Sequence, residues 1–183
     1  MQKRNKKQRI LAIDPGTREM GIALLENRDL IHHGVKLLTK RSSPHENLQE
    51  GRRIVLRLIK DLRPQVLAVE KAFFANNRNA ALLNVLVDEI AALGRRRGLR
   101  VVNLAPSTVK RAVAGNGRAS KEEVARAVAI RFPELRVYLS QDRKWKMKHH
   151  ENMFDAVALA IVCQDLVSPR HRKKVNVRKQ SRM

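Results

Sequence analysis

Apolar residues fall first in short unbroken runs and later at helical spacing. Ile10 to Ile13 has the length of a buried strand and stops on a carboxylate, Asp14, followed by a Pro15-Gly16-Thr17 turn. Gly21 to Leu25 is a second run, and Leu30 to Leu38 a third beyond the polar Glu26-Asn27-Arg28-Asp29, which predicts three consecutive antiparallel strands. From His45 to Leu62, Leu48, Val55, Leu58, Ile59 and Leu62 share one helical face, and Pro64 ends the helix. Val66 to Val69 is a further strand, again ending on an acid, Glu70. A helix from about Asn79 to Arg97 carries Leu82, Leu83, Val85, Leu86, Val87, Ile90 and Leu93 in too many directions for one buried face, so it is expected to pack both on the sheet and on a second subunit. Leu99 to Leu104 reads as a strand, Pro106 to Val113 and Lys121 to Arg131 as helices. Asp142 to His150 reads as a basic segment preceding a nearly all-apolar helix from Glu151 to Val167.

That pattern leaves acids in places that disfavour them. Strands ending on Asp14 and Glu70, if adjacent in one sheet, release both carboxylates at one rim, where like charges repel unless a cation lies between them. Asp155 sits inside the most apolar helix, which is costly without a compensating charge. Glu151 precedes it by one turn on the same face, Asn152 lies three before it, and His149 and His150 stand at the predicted helix start.

Charge changes the picture next. The 183 residues carry 39 Lys and Arg against 17 Asp and Glu, a net charge of +22, and a polyanion is the expected partner, nucleic acid above all. Residues 1–9 hold five of the basic groups and residues 170–183 hold seven, which marks a basic N-terminal arm and a basic C-terminal tail around one folded domain at 10–169. The domain itself stays basic. Lys110, Arg111, Arg118 and Lys121 surround a loop with Gly115 and Gly117, where backbone can come close to phosphate. Phe73 and Phe74 are adjacent in a chain with 3% aromatic residues, just beyond Glu70, and could stack on bases. The single cysteine, Cys163, excludes an internal disulfide and suits a reducing compartment, and no apolar run is long enough to span a bilayer. Cytoplasm or nucleoid is expected.

Asp14-Pro15-Gly16-Thr17 with Gly21, the Ala68-Val69-Glu70 strand end followed by Phe73, the Pro106 to Lys121 segment with its Gly-x-Gly and Lys, and Asp155-Ala156-Val157-Ala158-Leu159-Ala160 together resemble RuvC-type Holliday junction resolvases, in the same order and over residues 9–167. The resemblance implies an α/β, RNase H-like fold with a mixed five-stranded sheet flanked by helices, and a homodimer acting on four-way DNA junctions. It implies that Asp14, Glu70 and Asp155 are metal ligands, that Phe73 stacks at the junction centre, and that Lys110 and Lys121 act near the scissile phosphate. The family's further acid, three residues before the last Asp, is here Asn152. Glu151, His150 or Asn152 is therefore expected in the fourth place.

Oxygen donors without a Cys/His pattern suit Mg²⁺ or Mn²⁺. The expected chemistry uses two ions about 3.5 to 4 Å apart, one activating water and one steadying the leaving 3′ oxygen, with 5′-phosphate and 3′-hydroxyl products. Asp14 is expected to bridge them, with Glu70, Asp155 and Glu151 completing the set and Lys121 offsetting charge on the phosphate. A branch-migration motor is a further possible partner. The alternatives are an RNase H-like nuclease with other targets, a non-enzymatic nucleic-acid-binding protein on the same fold, and a ribosome-associated basic protein, which leaves the strand-end acids unexplained.

Overall fold

The structure, a computed structural model, describes residues 7–38, 43–71, 78–139 and 144–168, with backbone alone at 44, 78–79 and 144–149. Phe73, Phe74, residues 1–6 and the tail from 169 lie outside the described residues. Strands β1 (Arg9–Asp14), β2 (Glu19–Glu26) and β3 (Asp29–Leu37) form an antiparallel meander. Helix α1 (Pro44–Leu62) crosses over to β4 (Val66–Glu70), and α2 (Arg78–Arg96) leads to β5 (Arg100–Leu104). Helices α3 (Pro106–Ala114), α4 (Lys121–Arg131) and α5 (Lys144–Val167) follow, with a 3₁₀ turn at Pro133–Tyr138 before α5. The sheet order is β3-β2-β1-β4-β5, with β4 parallel to both β1 and β5. This is the mixed five-stranded sheet expected of the RNase H-like fold.

The period-2 alternation of a strand divides the core in two. Ile10, Ala12, Ala23, Leu25, Val66 and Ala68 face α3, α4 and α5, whereas Leu11, Ile13, Met20, Ile22, Leu24, Leu67 and Val69 face α1 and α2. Because the central strands are covered on both sides, they read as continuous apolar runs. Burial also settles Cys163, which is fully buried with its thiol pKa pushed up to about 12, an unreactive core residue.

Two expectations change. Helix α5 begins at Lys144 rather than Glu151, so the backbone of Lys144 to His150 forms its first turns. The sequence shifts there from charged to apolar, but no Pro or Gly interrupts it, and a change of polarity alone does not start a helix. Arg9, counted with the basic arm, opens β1, and its guanidinium and the Lys7 ammonium pair with Glu26 at 2.7 and 2.8 Å.

Candidate active site

The register carries the site. Ile13 pairs with Val69 on neighbouring parallel strands, so the next residues of each, Asp14 and Glu70, leave the sheet side by side. Strand parity turns both toward α5, since Ala12 and Ala68, two residues earlier on each strand, belong to that face. Asp155 comes from α5 itself. Its approach depends on Gly21, the β2 partner of Asp14, where a Cβ would lie 1.8 Å from the Asn152 carbonyl oxygen of α5. A side chain here would hold the helix away.

These groups line an open cleft of about 330 Å³, together with Lys110, Lys121, Lys71 and Asn152. Lys121 is delivered by local signals. Gly115 ends α3 in the left-handed region at φ 76°, Asn116 Oδ1 accepts from the Arg118 backbone N–H at 2.9 Å, and Ser120 caps α4 with a reciprocal Glu123 box. This places Lys121 in the first turn of α4, where the helix dipole disfavours a cation. Acids on α5 compensate: its ammonium donates to Glu151 Oε2 at 3.0 Å and stands 3.8 Å from Asp155 Oδ2. Burial pulls the Lys121 pKa down, but the Glu151 hydrogen bond and the Asp155 and Asp14 charges outweigh it and raise it.

The carboxylates are strained as anions. Burial raises the Asp14 pKa well above the ordinary range, and the neighbouring Glu70 and Asp155 charges add to this. Glu70 moves from 4.5 to about 7, mainly through burial, against a hydrogen bond from Asp14 that lowers it. Burial also raises Asp155, although Lys121 and Lys110 draw it down. Asp14 and Glu70, buried side by side, thus disfavour being ionised together.

Among the described residues no three such side chains close into a ready-made ligand cage. The donor chemistry nonetheless fits a hard divalent cation. Asp14, Glu70, Asp155 and Asn152 offer oxygen, no thiol or imidazole lines the cleft among the described residues, and a cation would relieve the repulsion that raises the carboxylate pKa values.

The expected site residues divide accordingly. Asp14, Glu70, Asp155, Lys110 and Lys121 meet at the cleft. Of the three candidates for the fourth place, Glu151 pairs with Lys121, the His150 ring packs 4.6 Å from that of Tyr138, and Asn152 lines the cleft. Arg111 folds against the loop, where a Cβ on Gly117 would lie 3.4 Å from its Nη2, and neither it nor Arg118 lines the cleft. Sequence reasoning missed Lys71, one residue past Glu70, and Glu19, whose Oε1 accepts from Asn152 Nδ2 at 2.8 Å. Parity was the available signal for Glu19, which stands two residues before Gly21 on the same face.

The family described as crossover junction endodeoxyribonuclease RuvC matches residues 10–163. The RuvC of Pelodictyon phaeoclathratiforme is 35% identical over 125 residues, covering 66% of this chain and 65% of that protein. The RuvC of Moorella thermoacetica is 32% identical over 171 residues, covering 90% of this chain and 96% of its own. The Thermus thermophilus RuvC structure superposes with a TM-score of 0.64 at 25% identity, covering 84% of this chain and 92% of its own.

Proposed function

The chain belongs to the RuvC family of crossover junction endodeoxyribonucleases, and on that footing we propose that it resolves four-way DNA junctions by paired, divalent-metal-dependent nicks. The observation that carries this reading is the meeting of Asp14, Glu70 and Asp155 with Lys110 and Lys121 in one open cleft of a basic protein. Thermus thermophilus RuvC, which shares the fold, has been solved in complex with a Holliday junction substrate.

Asp14, Glu70 and Asp155 would hold Mg²⁺ or Mn²⁺, two ions per site, with the fourth place falling to α5. When bound, such ions supply an activated water and countercharge for the leaving 3′ oxygen. The chain's own contribution is positional. The Lys121 ammonium, kept protonated by Glu151 and Asp155, stands ready to offset charge that grows on the phosphate, and Lys110 adds a second cation at the same wall. Glu151 serves this arrangement by anchoring Lys121. Phe73 and Phe74 follow the Glu70 strand end and would stack on bases at the junction centre, while Arg111 and Arg118 contact flanking phosphates.

A junction offers two strands of like polarity, so a two-fold homodimer would supply two matching sites. Helix α2 is our seam, since Leu86, Val87, Ile90 and Leu93 are buried within the subunit while Val85 remains 52% exposed. A nicking assay with Mg²⁺ on four-way, duplex and RNA substrates tests the reading. The chain should cut the four-way junction on two symmetric strands to leave 5′-phosphate ends, and Asp14→Asn should bind the junction without cutting it. Nicking that survives in Asp14→Asn, or equal cutting of plain duplex, contradicts it.

A further inference from the structure

Glu19 lies at the first position of β2, on the strand face that carries Gly21 and meets α5. Strands β1 and β2 are antiparallel, so the start of β2 shares a rim with the end of β1, and Glu19 stands at the rim that bears Asp14. Its Oε1 accepts a hydrogen bond from Asn152 Nδ2 at 2.8 Å, across 133 residues of sequence. Asn152 itself lines the cleft.

An asparagine amide has two arms of opposite character, an NH₂ that only donates and a carbonyl that only accepts. A carboxylate accepts and cannot donate, so Glu19 can hold only the NH₂ arm. The arm left for the cleft is then the carbonyl oxygen, the kind of donor a hard cation or its bound water requires. With the amide turned the other way, an NH₂ would face the cation and repel it.

We propose that Glu19 is a positioning residue for the metal site, holding Asn152 with its carbonyl oxygen toward the cleft so that a neutral amide fills the place where the family carries an acid. The inference rests on the nuclease reading above. It also explains how the site works without an acid at 152: the negative charge is displaced by one hydrogen bond, onto β2. Outer partners that orient a ligand in this way commonly change metal affinity by about 10- to 100-fold when removed.

Orientation can be separated from charge because an aspartate at 152 has two equivalent oxygens and needs no orienting partner. Mn²⁺ affinity of the full-length protein, without DNA, is measured by electron paramagnetic resonance for wild type, Glu19→Ala, Asn152→Asp and the double variant. Asp14→Asn identifies the signal that belongs to the site, and melting temperatures are recorded throughout. Glu19→Ala should weaken Mn²⁺ binding about tenfold when residue 152 is Asn and less than about twofold when it is Asp, a difference that neither charge alone nor a general loss of folding produces. Equal losses in both backgrounds, or no loss beside Asn152, overturn the inference while Asp14-dependent binding leaves the nuclease reading standing. Wild-type protein with no Asp14-dependent Mn²⁺ binding overturns both.

Discussion

Asp14 and Glu70 lie buried together at the end of two parallel strands, where each raises the cost of ionising the pair, and this has a measurable consequence for folding. In the unfolded chain Glu70 titrates near 4.5, and in the folded protein near 7, with Asp14 and Asp155 shifted in the same direction. Between those values the folded state binds more protons than the unfolded state, so stability is greatest on the acidic side and declines as pH rises through the window. Metal-free protein should therefore lose melting temperature between about pH 5 and pH 8, and Asp14→Asn, which removes the central charge, should flatten that slope. Calorimetry of both proteins in chelator at matched ionic strength decides this, and parallel slopes would rule it out. Added Mg²⁺ or Mn²⁺ should raise the wild-type melting temperature most at the alkaline end, where the carboxylates are free of protons.

At the scale of elements, two joints bring the cleft together. The first is the crossing of α5 over β2 at Gly21, where a side chain would collide with backbone rather than with a movable side chain. Gly21→Ala should cost about 2 to 3 kcal/mol and lower the melting temperature by about 5 to 10 °C. Gly34→Ala is the control, because a Cβ on Gly34 meets nothing within 4 Å. The second joint is the Ser120 cap that starts α4 beside Lys121. Ser120→Ala should cost about 1 kcal/mol of stability in chemical denaturation, and it should slow nicking more than it weakens junction binding. Loss of binding in proportion to nicking would remove Ser120 from the positioning of Lys121.

At the scale of the whole molecule, net charge and symmetry set the behaviour. A charge of +22 predicts junction binding that weakens steeply with salt, because each phosphate neutralised releases counterion. If α2 is the seam, Val85→Asp should shift the protein from dimer to monomer in sedimentation at micromolar concentration. It should also convert paired junction nicks into single ones, while the cleft of each subunit keeps its geometry. A Val85→Asp protein that remains dimeric would place the seam elsewhere.

The sequence by itself determined the strands, the helices apart from the start of α5, and the placing of three acids at two strand ends and in a buried helix. Apolar runs of strand length and the Pro-Gly turn after Asp14 are local signals, and an acid in a buried helix is conspicuous wherever it occurs. Only the tertiary structure decided which group stands in each remaining place. It set Glu151 on Lys121, His150 on Tyr138 and Glu19 on Asn152, and it carried α5 back through the basic segment to Lys144. The physical reason is that these choices combine strand parity, pairing register and the close approach permitted by one glycine. Those are relations between segments distant in sequence, and no pattern within either segment contains them.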